Sequence, residues 1–467
     1  MTTTVVQRGG VLHAADVSAL LGDRPPPFLV EEADAAARKA YYGLRHEAFV
    51  ERQGLFARTD LDDRDDDSRT VVLVARDRSG AVVGGVRLGP ATPGLDVGWW
   101  QGGRLVTAPT SFGTRVAGVG AALVRAACAR AEAAGALRFD ATVQLGTQRF
   151  FQRLGWETVR PTAVANTPHV LMRWPILRIA QLVAATKSEL GSLLQGIGPV
   201  GFVGDDGAPV PGSDLVAACD AIVPAMVERD PEWAGWCSVL VNVNDLAAMG
   251  AVPVGLLDAL GARDAASAER VLRGLKRAAA AYGVPILGGH TQLGVPAALG
   301  VTALGRTARP VAGGGGRPGE QVRLTADLGG GWRPGYVGRQ WDSTTYRRAD
   351  ELRAMTTAVG RAQPSAAKDV SMAGVVGTLG MLAEASGCAA VLDVAAVPKP
   401  RTASMGDWLT CFPGFAMLTT GPRQPEAGPA MSSVCGELTT GQGVALRWPD
   451  GEVTTALTSG VTGMGAA

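Results

Sequence analysis

Short apolar runs alternate with Ala-rich helical stretches closed by glycine along all 467 residues, and this alternation limits the fold more than any other feature. TVVLVARD and AVVGGVRLG are split by Arg-Ser-Gly, a hairpin signal. GRLVTAP reads as a strand that leads into the long helix VGAALVRAACARAEAAG, stopped at Gly135. LRFDATVQ is a further strand and TQRFFQRLGW a short helix. Beyond a linker helix near 176–195 come the strand LVAACDAI, then CSVLVNVNDLAAMGAVPVGLLDAL as a helix followed by a strand. The amphipathic helix SAERVLRGLKRAAAAYG and the strands VPILGGHT and ALGVTALGR follow. Strands interleaved with helices predict α/β and α+β domains, and the length predicts about three of them. The expected divisions are a leader at 1–30, a first domain at 31–175, and two further units at 176–312 and 313–467. Gly-Gly-Gly-Gly at 313–316 serves as a flexible joint between the last two. The stretch from Glu31 to Phe56 reads as helical, and the tail after Thr454 reads as frayed.

The 44 basic and 43 acidic residues balance to a net charge of +1, which argues against a nucleic-acid binder. There is no run of eighteen apolar residues and no basic start with an apolar core, so neither a membrane span nor a signal peptide is expected. Six scattered cysteines without a C-x-x-C pair predict reduced thiols in a cytoplasmic protein. The acidic run DLDDRDDDSRT at 60–70 reads as a solvated loop or as an attractive rim for a cationic amine. Glycine, at 63 residues, is in excess, and two places show why a backbone would need it.

The first is Arg115-Val116-Ala117-Gly118-Val119-Gly120-Ala121, between the strand GRLVTAP and the long helix. Free N–H groups and the dipole at a helix start hold a phosphate, and glycine lets its oxygens approach the backbone. With YYGLRHEAFVERQGLF at 41–56, the hairpin, and FFQRLGWE at 150–157, this turn resembles the GNAT family of acyl-CoA N-acyltransferases over roughly residues 30–174. The resemblance implies a GNAT fold and acetyl-CoA as cofactor. Arg115 to Ala121 would cradle the pyrophosphate, and Leu105 and Val106 would lie along the pantetheine arm. Many members place a tyrosine, as acid for the departing thiolate, where this chain has Phe150-Phe151. Glu47, Glu51 or His169 could act as base.

The second is a series of aspartates: Asp206 in GFVGDDGAPV, Asp220 in AACDAI, Asp245 in NVNDLAAMGA, and Asp369 in AKDVSMAGVVG. Mg²⁺ takes a few carboxylates and leaves the rest of its shell to water and phosphate, which suits acids set at turns and strand ends. With VNVNDLAAMGAVP, PILGGHT and KDVSMAGVVGTLGMLAEASG, they resemble the superfamily of aminoimidazole ribonucleotide (AIR) synthetase, selenophosphate synthetase, thiamine-monophosphate kinase and the hydrogenase-maturation carbamoyl dehydratase, over about 195–420. The resemblance implies a two-subdomain fold, Mg²⁺ on Asp206, Asp220, Asp245 and Asp369, and ATP beside it. Asn242 and Asn244 would hydrogen-bond nearby, and Gly288, Gly289 and His290 would form a turn at the site. It also implies a homodimer through the first subdomain. The chain lacks a Cys-x-x-Lys before GDDGAPV and a Cys-Gly-type ending, which sets it apart from the selenide and carbamoyl branches.

Together these features predict a bifunctional enzyme. An acetyl-CoA-dependent N-acyltransferase is fused to an ATP- and Mg²⁺-dependent module, and both act on a small nitrogenous metabolite. The pairing resembles a bacterial family of such fusions linked to nitrogen starvation. The alternative is a sensor or scaffold that binds acyl-CoA and nucleotide with one module inactive.

Overall fold

The computed structural model describes residues 27–109, 118–423 and 425–466. These divide into two compact units. One ends at Ile176 and takes in Ser404–Gly406; the other comprises Leu177–Ala403 and the residues from Asp407 on.

The first unit is built from β1 (Phe28–Glu32), α1 (Ala35–Arg45), a π-helical segment (His46–Arg52), β2 (Val71–Asp77), β3 (Val82–Pro90), β4 (Trp99–Thr107), α2 (Val119–Ala133), β5 (Arg138–Gln144), α3 (Gln148–Arg153), β6 (Glu157–Val164) and β7 (Thr167–Trp174). Its seven-stranded sheet has the order β1-β2-β3-β4-β5-β7-β6. The run VVLVA of β2 is apolar without alternation because both faces are covered. Val71, Leu73 and Ala75 pack with Leu123 and Ala127 of α2, while Val72 and Val74 pack with Ala37 and Tyr41 of α1. Phe28–Val30, read from sequence as leader, add an edge strand paired to β2, so the helical reading from Glu31 begins too early.

The second unit contains α4 (Arg178–Thr186), β8 (Ala208–Pro209), β9 (Leu215–Ile222), α5 (Pro231–Ala248), β10 (Val252–Ala262), α6 (Ala265–Tyr282), β11 (Ile286–Leu293) and β12 (Ala298–Arg306). The sheet order is β11-β10-β12-β9-β8, with α5 and α6 on one face. α6 starts with Asp264 accepting the Ser267 N–H and ends at Gly283 in the left-handed conformation, as its sequence period predicts. α5 is buried on nearly every side. It packs on this sheet, on α6 and, at its C-terminal end, on residues of the following subdomain such as Phe415 and Met417.

That following subdomain has β13 (Gln321–Ala326), β14 (Gly331–Trp332), β15 (Gln340–Asp342), β16 (Ala366–Asp369), α7 (Gly374–Ala385), β17 (Ala389–Asp393), β18 (Phe412–Pro413), β19 (Ala416–Thr420), β20 (Met431–Thr439), β21 (Val444–Arg447) and β22 (Val453–Leu457). A seven-stranded sheet runs β16-β19-β13-β20-β17-β21-β22, and β14, β15 and β18 form a small separate one.

Two expectations are corrected here. Gly313–Gly316 is no flexible joint. Gly313 N–H donates to Asp205 and Gly316 N–H to Ser386, and a Cβ on Gly313 would come within 2.5 Å of the Asp205 carboxylate. The glycines permit a tight seam where side chains would not fit. Nor is the tail frayed. Val461 and Thr462 are buried, and the Glu384 carboxylate accepts the N–H groups of Val461, Thr462 and Gly465.

Candidate active sites

In the first unit, β4 and β5 run parallel, and their pairing extends only from Trp99↔Arg138 to Gly102↔Ala141. Beyond it the strands part. The gap opens into a cleft of about 900 Å³, lined by the second half of β4, the start of α2 and the end of β5. β4 also carries a bulge, because two residues, Arg104 and Leu105, oppose Val86 alone. Arg104 takes a left-handed φ of +56°, a strained conformation for a side-chain-bearing residue. The surroundings hold it there. The Tyr41 hydroxyl donates to its carbonyl at 2.7 Å, and its guanidinium meets the Asp60 carbonyl and the Asp62 carboxylate.

Leu105, Val106, Gly118, Val119, Gly120, Ala121 and His169 all line this cleft. Arg115, Val116 and Ala117 lie outside the described residues. α2 starts at Gly118, with φ +87° and open space where a Cβ would stand. The first helical bond runs from the Ala122 N–H to the Gly118 carbonyl, so the N–H groups of Val119, Gly120 and Ala121 have no helical acceptor. Of the three candidate bases, His169 alone lines the cleft. Glu47 and Glu51 belong to the π-helical segment, where Glu51 is exposed beside His46. The buried His169 holds Nδ1 at 2.8 Å from the Thr167 carbonyl. A carbonyl can only accept, so Nδ1 carries a hydrogen, and in the neutral imidazole Nε2 then holds the lone pair. Sequence reasoning passed over Gln53 and Gln144, whose side chains hydrogen-bond at 2.8 Å in the cleft wall.

The acidic run is a loop that is solvated only in part: Asp63 and Asp66 are exposed, whereas Asp60, Asp62 and Asp65 are held by arginines. Arg45, fully buried, pairs with Asp60 and Asp65, each at 2.7 Å. Arg87 pairs with Asp62 and Asp65, and Arg104 with Asp60 and Asp62. Burial pushes the Asp65 carboxyl up, but the hydrogen bonds from Arg45 and the charges of Arg87 and Arg45 overcome it and leave the group at about 2.

In the second unit, Asp206, from the loop before β8, Asp245 of α5 and Asp369 at the end of β16 bring carboxylate oxygens within 4.8 Å of one another. Asp206 is clamped on both oxygens, by Lys368 Nζ at 2.8 Å and by the Asp369 N–H at 3.0 Å. Lys368, 1% exposed, also donates to the Gly204 carbonyl. Among the described residues, no donor meets the carboxylates of Asp245 and Asp369, which are both buried. Burial and the neighbouring carboxylates push both groups well above the usual carboxylate range. Asp245 also sits in the last turn of α5, the negative end of the helix dipole. Three hard oxygen donors with surplus negative charge fit a divalent cation such as Mg²⁺.

Asp220, on β9, stands outside that trio but within its electrostatic reach; burial raises its carboxyl, against the pull of Lys187. Asn242 and Asn244 are engaged in the fold. Asn242 Nδ2 donates to the Ser238 carbonyl and Asn244 Nδ2 to the Gly414 carbonyl, while both side-chain oxygens are buried and unpartnered. Gly288, Gly289 and His290 lie on β11, an edge strand whose residues are exposed. Three strand spacings, about 14 Å, separate that edge from β9 and Asp220. Within one protomer they are not joined to the aspartates.

The pattern of the Acetyltransferase (GNAT) family matches residues 31–156. The N-terminal and C-terminal domains of AIR synthase related protein match 204–307 and 323–447. The uncharacterized protein sll0787 of Synechocystis sp. is 36% identical over 224 residues, 46% of this chain and 69% of that protein. The chain belongs to the AIR synthase related family, with a GNAT domain ahead of it. Similar to the AIR synthase related module is the thiamine-monophosphate kinase of Synechococcus elongatus, 36% identical over 133 residues, 25% of this chain and 41% of the kinase. The chain thus spans less than half of that kinase. In fold, the chain is similar to T. maritima PurL complexed with ADP, at 16% identity and TM-score 0.51, covering 62% of this chain and 52% of PurL. The whole is therefore a mixed α/β multidomain protein, a GNAT domain followed by two AIR synthase related subdomains. Among the described residues, no helix is long and apolar enough to cross a membrane.

Proposed function

We propose that the first unit transfers an acetyl group from acetyl-CoA to an amine. The parted β4–β5 pair, which opens beside the three free amides of α2, carries this reading. The amides of Val119, Gly120 and Ala121 would take the pyrophosphate, and Leu105 and Val106 would flank the pantetheine arm. His169 Nε2 takes a proton as the amine nitrogen attacks the thioester carbon. The N–C bond forms, the C–S bond breaks, and that proton suffices to neutralise the departing thiolate, so Phe150-Phe151 need supply none. Free thiol released from acetyl-CoA across an amine panel tests the chemistry. Gly118→Val, which forces a branched residue into a left-handed turn, should abolish coenzyme A binding in calorimetry; unchanged affinity sinks the assignment.

We propose that the second unit binds Mg²⁺ and ATP and activates an oxygen of a small nitrogenous metabolite. The convergence of Asp206, Asp245 and Asp369 supports this, with Asp220 beside them. Bound Mg²⁺ would neutralise the phosphate charge there. The start of α7, which follows Asp369 closely, adds the positive end of a helix dipole. The sheet face away from α5 exposes Val252, Val254 and Leu257 on β10 and Leu287 on β11, which supports a homodimer through this subdomain. Six free cysteines, five of them buried, support a cytoplasmic setting, and 31–175, 176–312 and 313–467 serve as working domain divisions. Phe150-Phe151 is the one observation that favours the sensor reading. Acetyl-CoA binding without thiol release from any amine would decide for it.

A further inference from the structure

We infer that the acceptor amine of the first unit bears a carboxylate, as an α-amino acid does, and that Arg52 binds it; this rests on the acyl-transfer reading above. The ionisable side chains described in the cleft wall are Arg52, Asp77, Arg104 and His169. Asp77 is engaged in the β2–β3 turn, accepting from the Ser79 N–H and hydroxyl and from the Ala81 N–H. Arg104 is held by Asp60 and Asp62. Arg52 has no ion pair among the described residues.

Its place follows from its neighbours. The next residue, Gln53, accepts from Gln144 Nε2 at 2.8 Å, and Gln144 stands in register opposite His169. Arg52, which lines the cleft, is thus attached beside the end of the cleft where the base lies. Acids that could attract a protonated amine there are already engaged. Asp60, Asp62 and Asp65 are matched by Arg45, Arg87 and Arg104, and neither Glu47 nor Glu51 lines the cleft. A simple ammonium would meet net positive charge. A zwitterion would give its carboxylate to the planar fork of Arg52 and its amine to His169 Nε2. Phe49, Leu55 and Phe56 offer an apolar wall to a small side chain. The zwitterion's ammonium first loses one proton to solvent. The free amine then attacks the thioester carbon, and its second proton passes through Nε2 to the departing thiolate. The N–C bond replaces the C–S bond, and the products are the N-acetylated acid and the free thiol of coenzyme A.

The test uses the full chain with acetyl-CoA and matched acceptors: amino acids, their amides, and the amines lacking the carboxyl group. The wild type should favour the acids at least ten-fold in kcat/KM. Arg52→Met should raise KM for the acids about ten-fold or more and bring the acid-to-amide ratio near one, with the Kd for acetyl-CoA held. Arg52→Lys should restore part of the ratio. Amides and bare amines served as well as acids would overturn the proposal, as would an Arg52→Met loss equal for all acceptors. Thiol release from no acceptor, despite acetyl-CoA binding, would instead bring down the acyl-transfer reading and this proposal with it.

Discussion

In the first unit Asp60, Asp62 and Asp65 face Arg45, Arg87 and Arg104, three acids to three bases, whereas in the second unit Asp206, Asp245 and Asp369 converge with, among the described residues, only Lys368 in ion-pair contact. Both clusters are largely buried, but the first is drawn from one aspartate-rich run and the second from three separate segments. What separates them is whether the fold supplies the countercharge. Where it does, the acids fix a loop against β4 and shape the cleft from behind. Where it does not, charge is left over for a cation from solution. A buried carboxylate with no partner is costly, so the second cluster is intelligible as a site and the first as architecture.

Removing the cation from each cluster should break the two alike at first. Arg45→Met and Lys368→Met each leave buried acids unpaired, at a cost of about 3–5 kcal/mol. Urea denaturation with and without Mg²⁺ should then part them. The metal should recover much of the Lys368→Met loss and none of the Arg45→Met loss. Equal indifference to Mg²⁺ would erase the distinction. Next in size, Asp245→Asn should weaken Mg²⁺-ATP binding about 100-fold in calorimetry. The metal-free stability should hold or rise, since the change removes one of several crowded carboxylates. A stable variant that binds as tightly as wild type would remove Asp245 from the site.

A smaller effect comes with acid. The Asp65 carboxyl is held at about 2, below its unfolded value of 3.8. A depressed pKa gives stability that is full above the unfolded value and is lost as protons bind the folded state. The first unit should thus lose on the order of 2 kcal/mol between about pH 5 and pH 2, and Asp65→Asn should flatten that slope. Denaturation curves collected across this range would show it. A slope unchanged in the variant would place the acid sensitivity elsewhere.

Much of this was legible in the chain, and the failures share a cause. α6 and β12 carry their period and their stops locally, so their sequence bounds and their structural bounds nearly coincide. Asp206, Asp245 and Asp369 stood out because acids amid glycine and apolar residues need a reason. Their convergence, however, depends on α5 and β16 meeting across two subdomains. Within the acidic run the engagement of Asp60, Asp62 and Asp65 was hidden because their partners Arg45, Arg87 and Arg104 lie 15 to 44 positions away in sequence. Gly313–Gly316 misled for the same reason: close approach and flexibility ask for the same residue, and only Asp205 and Lys368 beside it decide which. Glu47 and Glu51 looked like bases because spacing cannot tell which side of a π-helical segment faces a cleft.

Glu384 answers its charge in a third way, which sharpens the contrast further. It sits in the last turn of α7, where the helix dipole disfavours an anion, yet among the described residues it has no ion pair and belongs to no cluster of metal-ligating groups. Instead its oxygens accept three backbone N–H groups, from Val461 at 2.6 Å, Thr462 at 2.8 Å and Gly465 at 3.2 Å. Val461 in turn fits against Gly380, where a Cβ would come within 2.4 Å of its side chain, so the acid pins the tail to the helix. Glu384→Gln keeps one acceptor oxygen but turns an NH₂ group toward backbone donors. That should cost about 1–2 kcal/mol, the smallest of these effects, and speed amide exchange at 461–465. Because the partners are dipoles of the chain itself, Mg²⁺ should not repair the loss, unlike that of Lys368→Met in the same unit. Repair by Mg²⁺ would mean that the tail and the aspartate cluster are coupled, and that an acid satisfied by backbone amides is not, as argued, independent of the site.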